Sequence, residues 1–488
     1  MFQSLPRFDM PDTNAIITAL TTICGAKSVI TDADETAPYL TDWRKHYTGT
    51  ATAVVHPSST DEVSCVLAYA NEHGVPIVPQ GGNTGLCGGA TPDTSGDAIV
   101  LSLKRMDKVL SLDLKSNTMV VQAGCILETI QRSAEAEGLL FPLDFGSRGT
   151  CRIGGNLSTN AGGLGVVRYG NARALCLGLE VVVPDGRVMN LLSPLKKDNT
   201  GYDLKNLFIG SEGTLGIITA ATLQLFPAHQ AVVTAFAGLR DIDAAISLLN
   251  LCQSASGGRV TTFELMPKSI IDNVMEHYPD TVQPIADIPA FSAFIEISST
   301  APTDAMPGLD GTMPLNNLME GILEASLEDE LINDATIATS GNQRAALWAI
   351  RELTPESEIK AGVAYKSDIS IPIEHMAEFY HRAAAAAEAI APGVRVFGFG
   401  HLGDGNLHYN LCIPRQGHPD FMALFPEFDT MLSGLLKQYG GSISAEHGIG
   451  QKKRHLLRDA KDATALAVME AIKKALDPNG IMNPGKIL

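Results

Sequence analysis

The chain has 488 residues, enough for two to four domains, each with an apolar core of its own. Apolar residues make up 45% and charged residues 18%, an ordinary globular mix that argues against disorder. Lysine and arginine total 36 against 54 aspartates and glutamates, and the net charge of −18 disfavours a general binder of nucleic acid or anionic membrane, because phosphates need a basic surface, while leaving room for a small local basic pocket.

The eight cysteines are dispersed and form no C-x-x-C pair, which argues against a zinc ribbon or thioredoxin-type site and suits a reducing compartment. The N-terminal stretch lacks a basic region followed by an apolar one, and no run of about 18 apolar residues exists. The expectation is a cytoplasmic protein without a transmembrane segment.

In chain order, residues 52–56 (TAVVH) read as a strand. Ser59 and Glu62 form a capping box, and Val63, Val66, Leu67 and Ala70 follow at helical spacing up to Gly74. Residues 75–78 resume a strand and enter PQGGNTGLCGG, 79–89, which completes a β-α-β unit. GSRGTCRIGGNLSTNAGG (146–163) and GSEGTLGII (210–218) are two more glycine-dense stretches, and residues 180–184 before Asp185-Gly186 read as half a hairpin. Beyond Pro227 the pattern alternates: strands at 231–239, 261–266 and 291–298, a helix at 241–252, a loop at 300–314 and a helix around Ala383–Ala387. The expected organisation is an N-terminal segment (1–45), a domain at 46–226, an α+β cap domain at 227–440 and a closing segment at 441–488.

Glycine-dense loops let backbone N–H groups approach an anion, so Gly81, Gly82, Gly85, Gly88 and Gly89 suit a pyrophosphate cradle; one such loop alone is equally well a tight turn. Gly398 to Gly403 spells G-x-G-x-x-G, but NLHYNLCI after it alternates like a strand, so no dinucleotide fold is expected there. If that segment is a hairpin turning at Asp404-Gly405, His401 and His408 converge on one face, with Asn410 two residues further on. Glu446 and His447 stand in a second glycine-framed loop. Two histidines and a glutamate would make a divalent-metal shell with open positions, and pattern alone leaves this level with a structural reading. Arg351 and Lys366 read by themselves as solvated charges.

Together the 79–89 and 146–163 loops, GSEGTLGIIT, HLGDGNLHYN, AEHGIG and the final NPGKIL resemble the FAD-linked D-2-hydroxy acid dehydrogenases, flavoproteins of the vanillyl-alcohol-oxidase type, over nearly the whole chain. The likeness is greatest to their D-2-hydroxyglutarate dehydrogenase branch. It implies an α+β fold: a two-part FAD-binding domain of the p-cresol-methylhydroxylase (PCMH) type, an α+β cap and a C-terminal helical segment. It implies FAD contacts from Pro79, Gly81, Gly82, Asn83, Thr84, Gly85 and Leu86 in the first loop. Gly146, Ser147, Cys151, Gly154, Gly155, Ser158, Thr159, Asn160, Gly162 and Gly163 follow in the second, then Glu212, Gly213, Ile217, Ile218 and Asn483. Asn83 stands where some relatives carry a flavin-linked histidine, so the FAD is expected to be non-covalent.

By the same resemblance His401, His408 and Glu446 bind a divalent metal, zinc in expectation, Asn410 and His447 face the substrate, and Arg351 and Lys366 match cationic positions fifteen apart. Two cations and a metal suit a dicarboxylate. Where the branch has a hydroxyl residue four positions after the arginine this chain has Pro355, and Thr354 stands in. The implied reaction oxidises a D-2-hydroxy acid to the 2-oxo acid by hydride transfer to flavin N5, with His447 as general base. The implied external acceptor is an electron-transfer flavoprotein, quinone or cytochrome, and a homodimer is a family expectation. Rival readings are a D-lactate, D-malate or glycolate dehydrogenase, a metal-dependent hydrolase and a non-catalytic flavin-binding subunit.

Overall fold

The computed structural model describes residues 10–309, 311–413 and 420–488. The first nine residues of the expected N-terminal segment, and Asp310 of the expected 300–314 loop, lie outside them. The chain divides into two units, one of residues 1–163, 171–226 and 446–488, the other of 164–170 and 227–445.

Among the described residues the first unit is built on a four-stranded and a five-stranded sheet, and Leu139–Leu140 pairs separately with Phe226–Pro227. In the smaller, Ala53–Val55 and Ile77–Gln80 both run parallel to Ile99–Ser102, which lies between them, and Val29–Ile30 adds an antiparallel edge. The helix Thr60–His73 connects the two outer parallel strands. Ser59 caps it by accepting from Glu62 N–H, and the left-handed Gly74 ends it; the Glu62 carboxylate takes Ser58 N–H, one residue earlier than a reciprocal capping box would. The second sheet is antiparallel, in the order Val109–Asp113, Thr118–Gln122, Ile217–Gln224, Cys176–Val182, Val188–Leu191. Its last two strands are the hairpin turning at Asp185-Gly186. The segment 446–488 contributes the helices Arg454–Ala460 and Ala463–Leu476, then returns to the small sheet, where Met482 bridges Ile77 in parallel.

The second unit is built on an eight-stranded sheet. Along it run Ile332–Ile337, Ala231–Leu239, Phe291–Ser299, Val260–Pro267, Arg395–His401, Asn406–Ile413 and Val363–Tyr365, with Ile369–Ser370 also paired to Asn406–Ile413. Its core gathers Phe236, Met266, Ile270, Phe294, Phe397 and Phe399, each side chain contributing about 1.5–3 kcal/mol by burial. The 398–413 segment is an antiparallel hairpin with Phe399 opposite His408, not a helix-opening loop. Only glycine fits its turn: Gly405 has φ 77°, and a Cβ there would lie 2.4 Å from Ile371 O. The stretch 164–170 joins this unit through Arg168, whose Nη1 donates to Ser298 O at 2.8 Å. Among the described residues no helix is long and apolar enough to cross a membrane.

Candidate active site

In the first unit a cavity opens at the C-terminal ends of the parallel strands, the place where open α/β sheets receive ligands. Fourteen of the residues expected to touch FAD line it: Pro79, Gly81, Gly82, Asn83, Thr84, Gly85, Gly154, Gly155, Ser158, Thr159, Glu212, Gly213, Ile217 and Ile218. Gly82 is where the first two loops meet backbone to backbone, since a Cβ there would stand 2.3 Å from Thr150 O. His447 also lines this cavity.

Of the other expected flavin residues, Leu86, Gly146, Ser147, Cys151, Asn160, Gly162, Gly163 and Asn483 are not among the lining. Several support it. Ser147 O accepts Cys151 N–H at 2.8 Å, Asn160 Oδ1 accepts Arg173 N–H at 3.0 Å, and a Cβ at Gly162 would meet Glu446 Oε2 at 2.5 Å. Asn483 Nδ2 donates to Glu212 O at 2.7 Å and to Gly89 O at 2.9 Å. The Glu212 carboxylate accepts Ile449 and Gly450 N–H, both at 2.7 Å. Burial pushes this carboxyl up, against those two amides and the charge of Lys453. One glutamate thereby ties the 446–488 segment to the cavity wall. Asn83 donates to Pro38 O and Thr41 O, which holds its amide on the N-terminal segment.

The cavity suits FAD on three counts. Its wall is largely glycine backbone, it has a cation in Arg152, and the buried Asn156 lining it has an Oδ1 without a hydrogen-bond partner among the described residues. Arg152 and Asn156 went unread in the sequence, although both sit within the second glycine loop.

In the second unit three buried glutamates, Glu264, Glu296 and Glu358, organise the polar residues. Glu264, in Val260–Pro267, stands opposite His401 in the sheet. Its Oε1 contacts His401 Nδ1 and its Oε2 accepts from Arg351 Nε. Burial alone would raise this carboxyl, but His401 and Arg351 outweigh it and hold Glu264 far below the usual carboxylate range. Arg351 is presented by the helix Gly341–Glu352, whose Arg344 and Trp348 both donate to Glu296 Oε1, at 2.7 and 2.9 Å. Positions 344, 348 and 351 share one helix face, so two sheet carboxylates anchor it along its length. Glu358, on the next helix Thr354–Ala361, accepts Lys366 Nζ and Asn410 Nδ2, both at 2.7 Å.

The His401 and His408 rings lie 5.6 Å apart, as the hairpin requires. His408 Nδ1 is 4.0 Å from the buried carboxylate of Asp368, which also accepts from Asn406. Thr354 is fully buried and donates its hydroxyl to Ile350 O, so it presents nothing to a ligand. Glu446 and His447 are sequence neighbours in the first unit, with Oε1 and Nε2 3.9 Å apart. Glu264 and Glu358 were also missed. The one available signal was a lone charge inside an otherwise uncharged strand, TTFELM, for Glu264; Glu358 sits among ordinary polar residues of a short helix.

Residues 51–192 match the family described as FAD binding domain, and residues 228–487 that described as FAD linked oxidases, C-terminal domain. The chain is 39% identical to "D-2-hydroxyglutarate dehydrogenase, mitochondrial" of Danio rerio, over 94% of this chain and 82% of that protein. It is 36% identical to "D-2-hydroxyglutarate dehydrogenase" of Xanthomonas citri pv. viticola, over 92% of both. Its fold is similar to that of p-cresol methylhydroxylase with substrate bound, with a TM-score of 0.74, 15% identity and 98% of each chain covered. The chain belongs to the FAD-linked oxidases. Within them it is an FAD-dependent D-2-hydroxy acid dehydrogenase, the class its curated relatives define.

Proposed function

We propose that the substrate is a D-2-hydroxy dicarboxylate, D-2-hydroxyglutarate, oxidised to the 2-oxo acid with a divalent metal as second cofactor and an external electron acceptor. The observation that carries this reading is the pair of cations, Arg351 and Lys366, each oriented by its own buried glutamate. Arg351 uses Nε on Glu264, and its two terminal nitrogens give the planar fork that grips a carboxylate. The Asn410 amide is fixed by Glu358 on one side and Ser367 N–H on the other. These groups bind and orient the substrate, and the His447 imidazole takes the proton of its 2-hydroxyl.

FAD supplies the hydride acceptor at N5. The donor set suits a metal: Glu264 on Nδ1 of His401, and Asp368 near Nδ1 of His408, are carboxylates placed as the outer partners of metal-binding imidazoles. His401, His408 and Glu446 would hold the ion, whose chemistry would be Lewis-acid polarisation of the hydroxyl.

The test is a dye-reduction panel on purified, metal-analysed protein. It compares D-2-hydroxyglutarate, D-malate, D-lactate, glycolate and the L-enantiomers, with and without chelator. Chelator-sensitive preference for D-2-hydroxyglutarate is expected; preference for D-lactate, or turnover untouched by metal removal, overturns the reading.

A further inference from the structure

We propose that Glu358 is a specificity-determining positioning residue: it holds Lys366 and Asn410 in the geometry that selects a substrate with a second carboxylate. The proposal rests on the dicarboxylate reading above and adds a residue to it.

Glu358 is 1% exposed, yet both its oxygens are used, Oε2 by Lys366 Nζ and Oε1 by Asn410 Nδ2, each at 2.7 Å. Asn410 Oδ1 accepts Ser367 N–H at 3.1 Å, and Ser367 Oγ donates to Tyr409 O at 2.6 Å. Lys366, Ser367, Asn410 and Glu358 therefore close a ring that leaves the asparagine one orientation, because a carboxylate can only accept and an N–H can only donate. The ring is mounted rigidly. Lys366 follows the strand Val363–Tyr365, whose Tyr365 pairs with Leu411. The helix bearing Glu358 is fixed at its start by Thr354 Oγ1 on Ile350 O, Ser357 Oγ on Thr354 O and Asn273 Nδ2 on Ser357 Oγ.

Stability does not require this arrangement. Replacing a buried ion pair by apolar residues of similar volume is often neutral or stabilising, so a merely structural site could be apolar. A lysine on a flexible four-carbon stem must otherwise lose its rotamer freedom when it grips a ligand. Held by Glu358 it is ordered beforehand, a gain only for a substrate that reaches it.

The experiment compares Glu358→Gln, Lys366→Met and the double variant, all as FAD-loaded full-length chain, with D-2-hydroxyglutarate and D-lactate. For Glu358→Gln the ratio of kcat/KM between the two substrates is expected to fall about tenfold, mostly through KM for the dicarboxylate. In the Lys366→Met background the same change is expected to lower the ratio by less than about threefold, because the two residues act as one unit. Equal loss for both substrates, or a full effect on top of Lys366→Met, overturns the proposal. If Lys366→Met alone leaves the preference intact, the dicarboxylate reading falls, and the proposal with it. If Lys366→Met abolishes the preference but Glu358→Gln does not move it, the proposal alone falls. Should Glu358→Gln fail to fold, Glu358→Asp keeps the charge but is one methylene too short to reach both partners. An intermediate loss of preference is then expected, and an unchanged ratio overturns the proposal.

Discussion

Gly82→Ala tests whether the two glycine loops must touch for the flavin to bind. A Cβ at this position would lie 2.3 Å from Thr150 O and 2.9 Å from Cys151 Cα. An ordinary C···O separation is about 3.3 Å, so the loops must part by roughly 1 Å. Both obstructing atoms are backbone, and no rotamer change relieves them. Overpacking of this kind costs about 1–3 kcal/mol. Felt at the cavity these loops line, that corresponds to about 5- to 150-fold weaker FAD binding. The assay is flavin affinity from the fluorescence of released FAD, with Gly434→Ala, whose Cβ meets nothing within 4 Å, as control. Wild-type FAD affinity in Gly82→Ala would refute the claim that this contact shapes the cavity.

His447→Ala should lower turnover by about 10²–10⁴-fold while FAD content, read from the absorbance ratio, falls far less. Glu264→Ala strands the Arg351 charge and should cost about 3–5 kcal/mol in chemical denaturation; a loss below 1 kcal/mol would count against the ion-pair description. His56 is buried, and burial, aided by the Lys104 charge and opposed by a backbone hydrogen bond at Ser102, pushes its pKa down to about 4. A depressed histidine contributes stability that is full above its ordinary value near 6.5 and is lost as pH falls towards 4. His56→Gln should therefore show a smaller drop in Tm between pH 7 and pH 4.5 than the parent protein.

Much of the flavin half was legible because glycine density is a local signal that survives in a bare sequence. The strand at 231–239, the helix cap at Gly74 and the hairpin at Asp404-Gly405 were legible for the same reason: alternation, capping and turn chemistry are each written within about ten residues. What was not legible is long-range. Glu264 meets Arg351 across 87 positions and Glu358 meets Asn410 across 52, so neither partner marks the other. The order of the small sheet, with Ile99–Ser102 inserted between the strands of the expected β-α-β unit, is set by pairing rather than by any one strand. The excursion of 164–170 into the second unit is decided by tertiary contacts, Arg168 on Ser298 and Tyr169 on His229, that periodicity does not encode. Thr354 shows the reverse failure: a hydroxyl at a suggestive position is used up by the helix's own backbone.

The flavin-binding unit is interrupted by residues 227–445, and its last piece supplies Asn483 and the amides that hold Glu212. On the ribosome those roughly 220 intervening residues, made at about 5–20 residues per second, take on the order of ten to forty seconds. Throughout that interval the first 226 residues have no partner for the open edge of Ile77–Gln80 and no amides for the Glu212 carboxylate. The intervening unit, whose sheet contains no strand from outside it, can fold in the meantime. This order predicts that cofactor loading waits until synthesis has passed residue 483, and that a nascent chain stalled earlier binds FAD more weakly than the finished protein.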